Sequence, residues 1–208
     1  MKKTSPRADH LRRALAQEAA RVMAEHGVRD FLFAKRKAAE RFGVVDGSVL
    51  PRNTEIEEAL QEYQRLFGGD SHVESLHAQR AVALDMMRRL REFQPRLVGP
   101  VLAGTATEHD DVLLHAFADR AETVSVRLMD QGVPFEVGER RVRFTAERVA
   151  QQPAFRLEVD GQPVEVVVFP VDGIRQSPVS PVDGKPMRRA DAAEVAALLE
   201  ADGADPVG

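Results

Sequence analysis

The first 95 residues carry apolar side chains at three- and four-residue spacing, with charged residues between them. This spacing is the period of a helix that buries one face. It predicts an amphipathic helix from Asp9 to His26 and a second helix over FLFAKRKAAERF. Gly43 is expected to end the second helix, because glycine is favoured just beyond a helix C-terminus.

Two further helices are predicted in the same region. Thr54 and Glu57 fit a capping box, in which a hydroxyl and a carboxylate each bind a free backbone N–H, at the start of a helix that runs through Phe67. The stretch ESLHAQRAVALDMMRRLREF predicts a longer helix that Pro95 closes. Residues 1–95 are therefore expected to form a helical region.

From Arg96 onward, short apolar runs bounded by Gly, Pro and Asp replace the helical period, which is typical of buried strands. LVGPVLA and DVLLHAF predict two strands, and ADRAETVSVRLMDQG predicts a helix. VPFEVGERRVRF and FRLEVDGQPVEVVVF predict strand pairs that turn at Gly138 and at Asp160-Gly161. This order favours an α+β fold, with a mixed sheet and flanking helices over residues 96–172.

The last part of the chain, residues 173–208, is rich in Pro, Gly and Ser before a short apolar stretch near residues 190–200. This composition predicts an extended arm that ends in a helix.

Composition narrows the possible partners. Acidic residues outnumber basic ones by 33 to 29, so no net positive charge attracts nucleic acid. The sequence has no cysteine, which is compatible with a reducing compartment, and no signal-peptide or membrane-spanning pattern. We therefore expect a cytoplasmic protein without a membrane partner.

The stretch AKRKAAERFGV is similar to the first helix and turn of helix-turn-helix modules, in which a reader helix follows within a few residues. Here VVDGSVLPRN intervenes, and the next predicted helix begins with acidic residues that repel phosphate. We therefore do not expect DNA binding, and Lys35, Arg36 and Lys37 fit a solvated helix face.

Residues 99–113 have the spacing G-x-x-x-x-G-T-A-x-x-x-x-D-V, with an apolar run on each side. The positions that matter are Gly99, Pro100, Gly104, Thr105, Ala106, Asp110, Asp111, Val112 and Leu113. The stretch resembles the polymerase-β-like nucleotidyltransferase superfamily, whose small members carry G-S-x-x-x-G-T-A-x-x-x-S-D-[IV]-D between two strands. The resemblance covers residues 97–169 and implies a nucleotidyltransferase-like sheet that binds a nucleoside triphosphate.

The resemblance also implies a metal site. Nucleotidyl transfer in this family uses Mg²⁺ or Mn²⁺ held by two carboxylates at alternate positions of one strand and a third on a later strand. The corresponding catalytic residues and metal ligands here are Asp111 and Glu165. Pro100 replaces the serine that helps hold the phosphates, and Leu113 replaces the second carboxylate. Since leucine offers no metal ligand, the transition state loses charge stabilisation.

His115 could compensate for this loss. On a regular strand it shares the face of Asp111, so Asp111, His115 and Glu165 could hold one metal ion. Imidazole favours zinc or manganese over magnesium. The alternative is that His115 is a hydrogen-bonded histidine at a strand end, without a metal. Asp110 lies on the opposite side of the strand and is expected to cap the preceding turn.

The resemblance places Gly104 and Thr105 at the turn that approaches the phosphates of the nucleotide. Two groups of basic residues could supply charge there, namely Arg88, Arg89, Arg91 and Arg96 before the first strand, and Lys185, Arg188 and Arg189 in the arm. Lys185 is the preferred phosphate ligand, because the surrounding Pro and Gly residues hold its position.

The resemblance leads to two functional hypotheses. One is metal-dependent nucleotidyl transfer from a nucleoside triphosphate to an unknown acceptor. The other is a catalytically inactive relative that keeps the fold as a binding or regulatory protein, and Leu113 favours it. A third hypothesis, of a different class, is a protein that binds a partner protein through residues 1–95.

Overall fold

A computed structural model describes residues 6–204 of the chain. The chain divides into two compact units. The first unit extends to His72 and includes Pro181–Asp183, and the second comprises Val73–Ser180 and the chain from Gly184 onward. The first strand begins at Arg96, as the change of pattern predicts, whereas the division between the units falls after His72.

The first unit consists mainly of helices α1 (Pro6–His26), α2 (Phe31–Phe42) and α3 (Asn53–Phe67). Small side chains let these helices approach closely around a core that includes Leu15, Ala16, Ala19, Ala34, Ala38, Ile56 and Leu60. Gly43 ends α2 in the left-handed conformation, with φ 65°, so that prediction is confirmed. The capping box predicted at Thr54 is wrong, because the carboxylate of Glu55 accepts the backbone N–H of Arg52 at 2.6 Å.

The second unit contains a five-stranded mixed sheet with the strand order β1-β2-β5-β4-β3. The strands are β1 (Arg96–Val98), β2 (Val112–Phe117), β3 (Phe135–Arg143), β4 (Val149–Val159) and β5 (Gln162–Phe169). β2 and β5 run parallel, and the other neighbours run antiparallel. The prediction of an α+β fold is therefore confirmed.

Helices cover one face of this sheet, here called the helix face. They are α4 (Gly69–Arg89), α5 (Gly99–Ala103), α6 (Ala121–Asp130) and α7 (Ala192–Ala204). Leu114 of β2 and Val166 of β5 lie in one buried cluster with Met87, Leu128 and Val195 from these helices. None of the helices within residues 6–204 is long and apolar enough to cross a membrane.

The opposite face, here called the arm face, carries a second cluster. Its members are Val98, Leu113, Phe117, Val142, Ala154, Val167 and Phe169. Ile174 and Met187, from the segment that follows β5, pack against them. Side chains alternate along a strand, so β2 and β5 contribute apolar residues to both faces.

Two predicted elements differ from the structure. The strand predicted over residues 97–103 ends at Val98, because Gly99 has φ 75° and Pro100 occupies the first turn of α5. The turn predicted at Gly138 is also wrong, since β3 continues through it. The turn at Asp160-Gly161 is confirmed, and both of its residues have positive φ.

A buried ion pair joins α4 to α7. Arg80 Nη1 donates to both carboxylate oxygens of Asp202 at 2.7 Å, and Arg80 Nε donates to the carbonyl of Val101 at 3.2 Å. The side chains of Arg80 and Asp202 are only 6% and 19% exposed. Removal of one partner would leave the other charge desolvated and unpaired.

We predict that Asp202→Ala lowers the free energy of unfolding by about 3 kcal/mol, the lower end of the penalty for breaking a buried ion pair. The double variant Arg80→Met with Asp202→Leu should recover most of this loss. Asp85→Ala serves as the control, since it breaks a surface pair with Arg89 and should change little. Urea unfolding followed by far-ultraviolet circular dichroism measures all three, and equal losses for Asp202→Ala and Asp85→Ala would contradict the prediction.

Candidate functional site

The arm face brings His115 and Glu165 onto the same side of the sheet. In the parallel register of β2 and β5, Leu113 lies opposite Glu165 and His115 lies opposite Val167. His115 and Glu165 are buried, at 2% and 4% exposure. Asp111 directly precedes β2 and is partly exposed. The catalytic carboxylate that the resemblance assigns to β5 therefore lies beside the leucine that replaces its partner.

Two arginines bind Glu165. Arg140 of β3 donates from Nη1 to Oε2, and Arg156 of β4 donates from Nε to Oε1 at 3.3 Å. The side chain of Glu165 is 5% exposed, whereas those of Arg140 and Arg156 are 44% and 57% exposed. Each carboxylate oxygen thus accepts from one guanidinium, which offsets the cost of burying the charge.

Gly138 makes room for one of these arginines. A Cβ at Gly138 would lie 3.3 Å from Nη1 of Arg156, closer than most Cβ atoms approach a neighbour, and 3.6 Å from its Cζ, an ordinary contact distance. Glycine inside a strand often marks such a close approach. The residue that the sequence suggests as a turn is therefore the place where the Arg156 guanidinium lies over the backbone of β3.

A third arginine reaches the arm face from the segment after β5. The backbone of Ala190 pairs with that of Leu97, and this places Arg189 beside β2. Arg189 Nε donates to His115 Nδ1 at 3.1 Å, and its Nη1 donates to the carbonyls of Gly173 and Ile174 at 2.8 and 3.2 Å. The Arg189 guanidinium also lies 5.0 Å from the ring centre of Phe117 and 5.2 Å from that of Phe169.

Burial lowers the pKa of His115 well below its usual value of 6.5, and the nearby cations Arg189 and Arg140 lower it further. The ring is therefore neutral at neutral pH. Since Nδ1 accepts from Arg189, we assign the ring proton to Nε2.

Arg96 adds positive charge on the same side of β1, opposite His115 in the antiparallel register. It donates to the carbonyls of Gln94 and Pro95. Desolvation first, and then repulsion from Arg96, lower the pKa of Arg189 to about 10. Within residues 6–204, the hydrogen bonds of Arg96 and Arg189 go to neutral acceptors, not to carboxylates.

The predicted phosphate-binding turn lies against the helix face. Gly104 ends α5 with φ 80°, and a Cβ there would lie 3.6 Å from Arg80 Nη2 and 3.9 Å from Leu76. Thr105 is 2% exposed. This turn is therefore packed into the core of the second unit, whereas His115 and Glu165 lie on the opposite face.

Asp110 caps the next turn, as the sequence predicts. Its carboxylate accepts from the backbone N–H and the hydroxyl of Thr107 at 2.8 and 2.9 Å. Its carbonyl accepts from the side-chain amides of Gln79 and Gln162 at 3.3 and 2.9 Å. These bonds fix the loop that leads into Asp111 and β2.

Lys185 is exposed in a turn where its carbonyl accepts the backbone N–H of Ser180 at 2.7 Å. The arm residue that contacts His115 is Arg189, four positions further on. Sequence reasoning grouped Arg189 with Lys185 but preferred the lysine. It missed Arg140 and Arg156, which the pairing of β3, β4 and β5 brings to Glu165.

Residues 6–204 contain no group of three or more His, Cys, Asp or Glu side chains arranged to hold a metal ion. The metal set of Asp111, His115 and Glu165 stays a prediction. The contacts of Glu165 with Arg140 and Arg156 already occupy both of its oxygens.

No protein family model matches the chain, and no curated protein is similar enough in sequence to count as a relative. The resemblance to nucleotidyltransferases therefore depends on the motif in residues 99–113 alone.

The depressed pKa of His115 predicts a pH dependence of stability. In the folded protein His115 is surrounded by Arg189, Arg140 and Arg96, with Glu165 as the nearby acid. Because the pKa of His115 is lower in the folded protein than in the unfolded chain, the unfolded chain takes up the proton at a higher pH. The free energy of unfolding therefore falls as the pH drops below about 6.5. This group alone should remove about 1 kcal/mol between pH 7.5 and 5.5.

Urea unfolding at a series of pH values tests this prediction. His115→Gln should flatten the pH dependence between pH 7.5 and 5.5, whatever its own effect on stability at neutral pH. The matched control is His77→Gln, because His77 is exposed on α4. A pH dependence that is unchanged in His115→Gln would show that His115 is not the group responsible.

Proposed function

We propose that this chain is a nucleotidyltransferase-like protein that binds a nucleoside triphosphate but does not transfer its nucleotidyl group to an acceptor. The observation that carries the proposal is the environment of Glu165. In the family, the carboxylate at this position would bind the metal. Here the carboxylate of Glu165 is paired with Arg140 and Arg156, and it lies next to Leu113.

Charge explains why this arrangement favours binding over transfer. A divalent ion would need anionic ligands, and the two arginines compete for the same oxygens. The guanidiniums supply the positive charge that a metal would bring for phosphate, but they do not activate an attacking hydroxyl as a metal does. A binding or regulatory role therefore fits the arm face better than catalysis does.

Catalysis is the second candidate. One observation favours it: Asp111 directly precedes β2, and by alternation it shares the face of Leu113 and His115. Asp111 and Glu165 would then be the residues that hold a divalent ion. The enzyme would then transfer a nucleotidyl group to an unknown acceptor with Mg²⁺ or Mn²⁺.

We also propose a cytoplasmic location, for which the absence of cysteine is the supporting feature.

Calorimetric titration with each nucleoside triphosphate, with and without Mg²⁺ or Mn²⁺, separates these functions. We expect the nucleotide to bind without a divalent ion, because the arginines supply the charge. Asp111→Ala should therefore change the dissociation constant by no more than about twofold. Asp119→Ala, which changes an exposed aspartate just after β2, is the matched control.

Binding that requires Mg²⁺ and vanishes in Asp111→Ala but not in Asp119→Ala would favour the enzyme instead. If no triphosphate binds at millimolar concentration under any condition, nucleotide binding is excluded as the function.

A further inference from the structure

One buried carboxylate holds two half-exposed guanidiniums in place on the arm face. Within residues 6–204, Glu165 is the hydrogen-bond partner of both Arg140 and Arg156, and it engages one nitrogen of each. A guanidinium has five N–H donors, so most donors of each arginine remain for another acceptor. With side-chain exposures of 44% and 57%, both arginines are accessible to a ligand.

The two arginines outnumber the buried carboxylate that binds them. Arg140 and Arg156 carry two positive charges against the one negative charge of Glu165. Glu136, opposite Arg156 in the β3–β4 register, and Glu158, two residues further along β4, lie on the same face, but both are exposed and their charges are screened by solvent. Arg189 and Arg96 add further positive charge nearer β1, and an anion that approaches Arg140 and Arg156 meets their remaining N–H donors.

The arginines are also held in position before any ligand arrives. Glu165 fixes one end of both guanidiniums from the middle of the sheet, and Gly138 leaves the space that Arg156 fills. A guanidinium whose position is already fixed loses less conformational entropy when it binds an anion. Its planar fork also fits two phosphate oxygens at once.

We propose that Arg140 and Arg156, oriented by Glu165, form a metal-independent phosphate site that takes the polyphosphate of the bound ligand. Glu165 is a positioning residue at this site, and the two arginines make the contacts. That the ligand is a nucleotide rests on the proposed function; the recognition of a polyphosphate rests on the arginine pair alone.

The test uses the full chain, without divalent ions, and titrates inorganic tripolyphosphate and, separately, a nucleoside triphosphate. Arg140→Lys and Arg156→Lys each keep a cation for Glu165 but remove the forked donors. We expect each to weaken tripolyphosphate binding about tenfold, the usual cost of one charge-assisted contact. Arg141→Lys is the matched control, because Arg141 is exposed on the same strand but points to the opposite face.

Circular dichroism checks that each variant folds. If one lysine variant fails to fold, the other still tests the site. Tenfold weaker binding in a folded lysine variant, with Arg141→Lys within about twofold of the unchanged chain, supports the site. Equal binding by all variants, equal losses in all three, or no tripolyphosphate binding at millimolar concentration would overturn it.

The two ligands separate this site from the proposed function. If the nucleoside triphosphate binds and the lysine variants do not affect it, the phosphate site is wrong and nucleotide binding stands. If tripolyphosphate binds through the arginines and no nucleoside triphosphate does, the site stands and the proposed function is wrong.

Discussion

The burial of the Glu165 carboxylate is the constraint on which the arm face depends. A carboxylate removed from water costs several kcal/mol unless cations and hydrogen bonds replace its hydration. Arg140 and Arg156 do so, and they come from β3 and β4, the two strands beyond β5 at one edge of the sheet. The strand order that places these strands side by side is therefore what makes a charged residue tolerable on β5.

The same constraint connects two positions that are far apart in sequence. Where the nucleotidyltransferase pattern has two acidic neighbours, Leu113 and Glu165 lie opposite each other. Two adjacent carboxylates without a metal would repel each other, and each would need its own cations. The apolar Leu113 needs no cation, and it packs with Val98 and Val167. The leucine and the arginines are thus consistent with one another.

The sequence predicts several parts of the structure that local chemistry determines. The end of α2 at Gly43, the cap at Asp110 and the turn at Asp160-Gly161 need only neighbouring residues, and they are where the sequence places them. The run over residues 97–103 is apolar throughout, and such short runs suit a strand or a buried helix equally well. A strand was therefore a reasonable expectation there, although most of the run is α5.

The error at Gly138 has a different cause. Gly138 suggests a turn when only its neighbours are considered, but its reason is the guanidinium of Arg156 on the next strand. Likewise, the placement of Arg189 beside His115 depends on the pairing of Ala190 with Leu97. Both depend on contacts between residues distant in sequence, which periodicity and turn chemistry do not report.

The attachment of the arm determines the charge environment of Arg189. Arg189 is held by carbonyls, by two aromatic rings and by a neutral His115, so no carboxylate within residues 6–204 cancels its charge. A protonated His115 would be a third cation beside Arg189 and Arg96, and burial opposes that state. The neutral histidine is therefore the acceptor that lets an arginine lie on this face without a counter-ion.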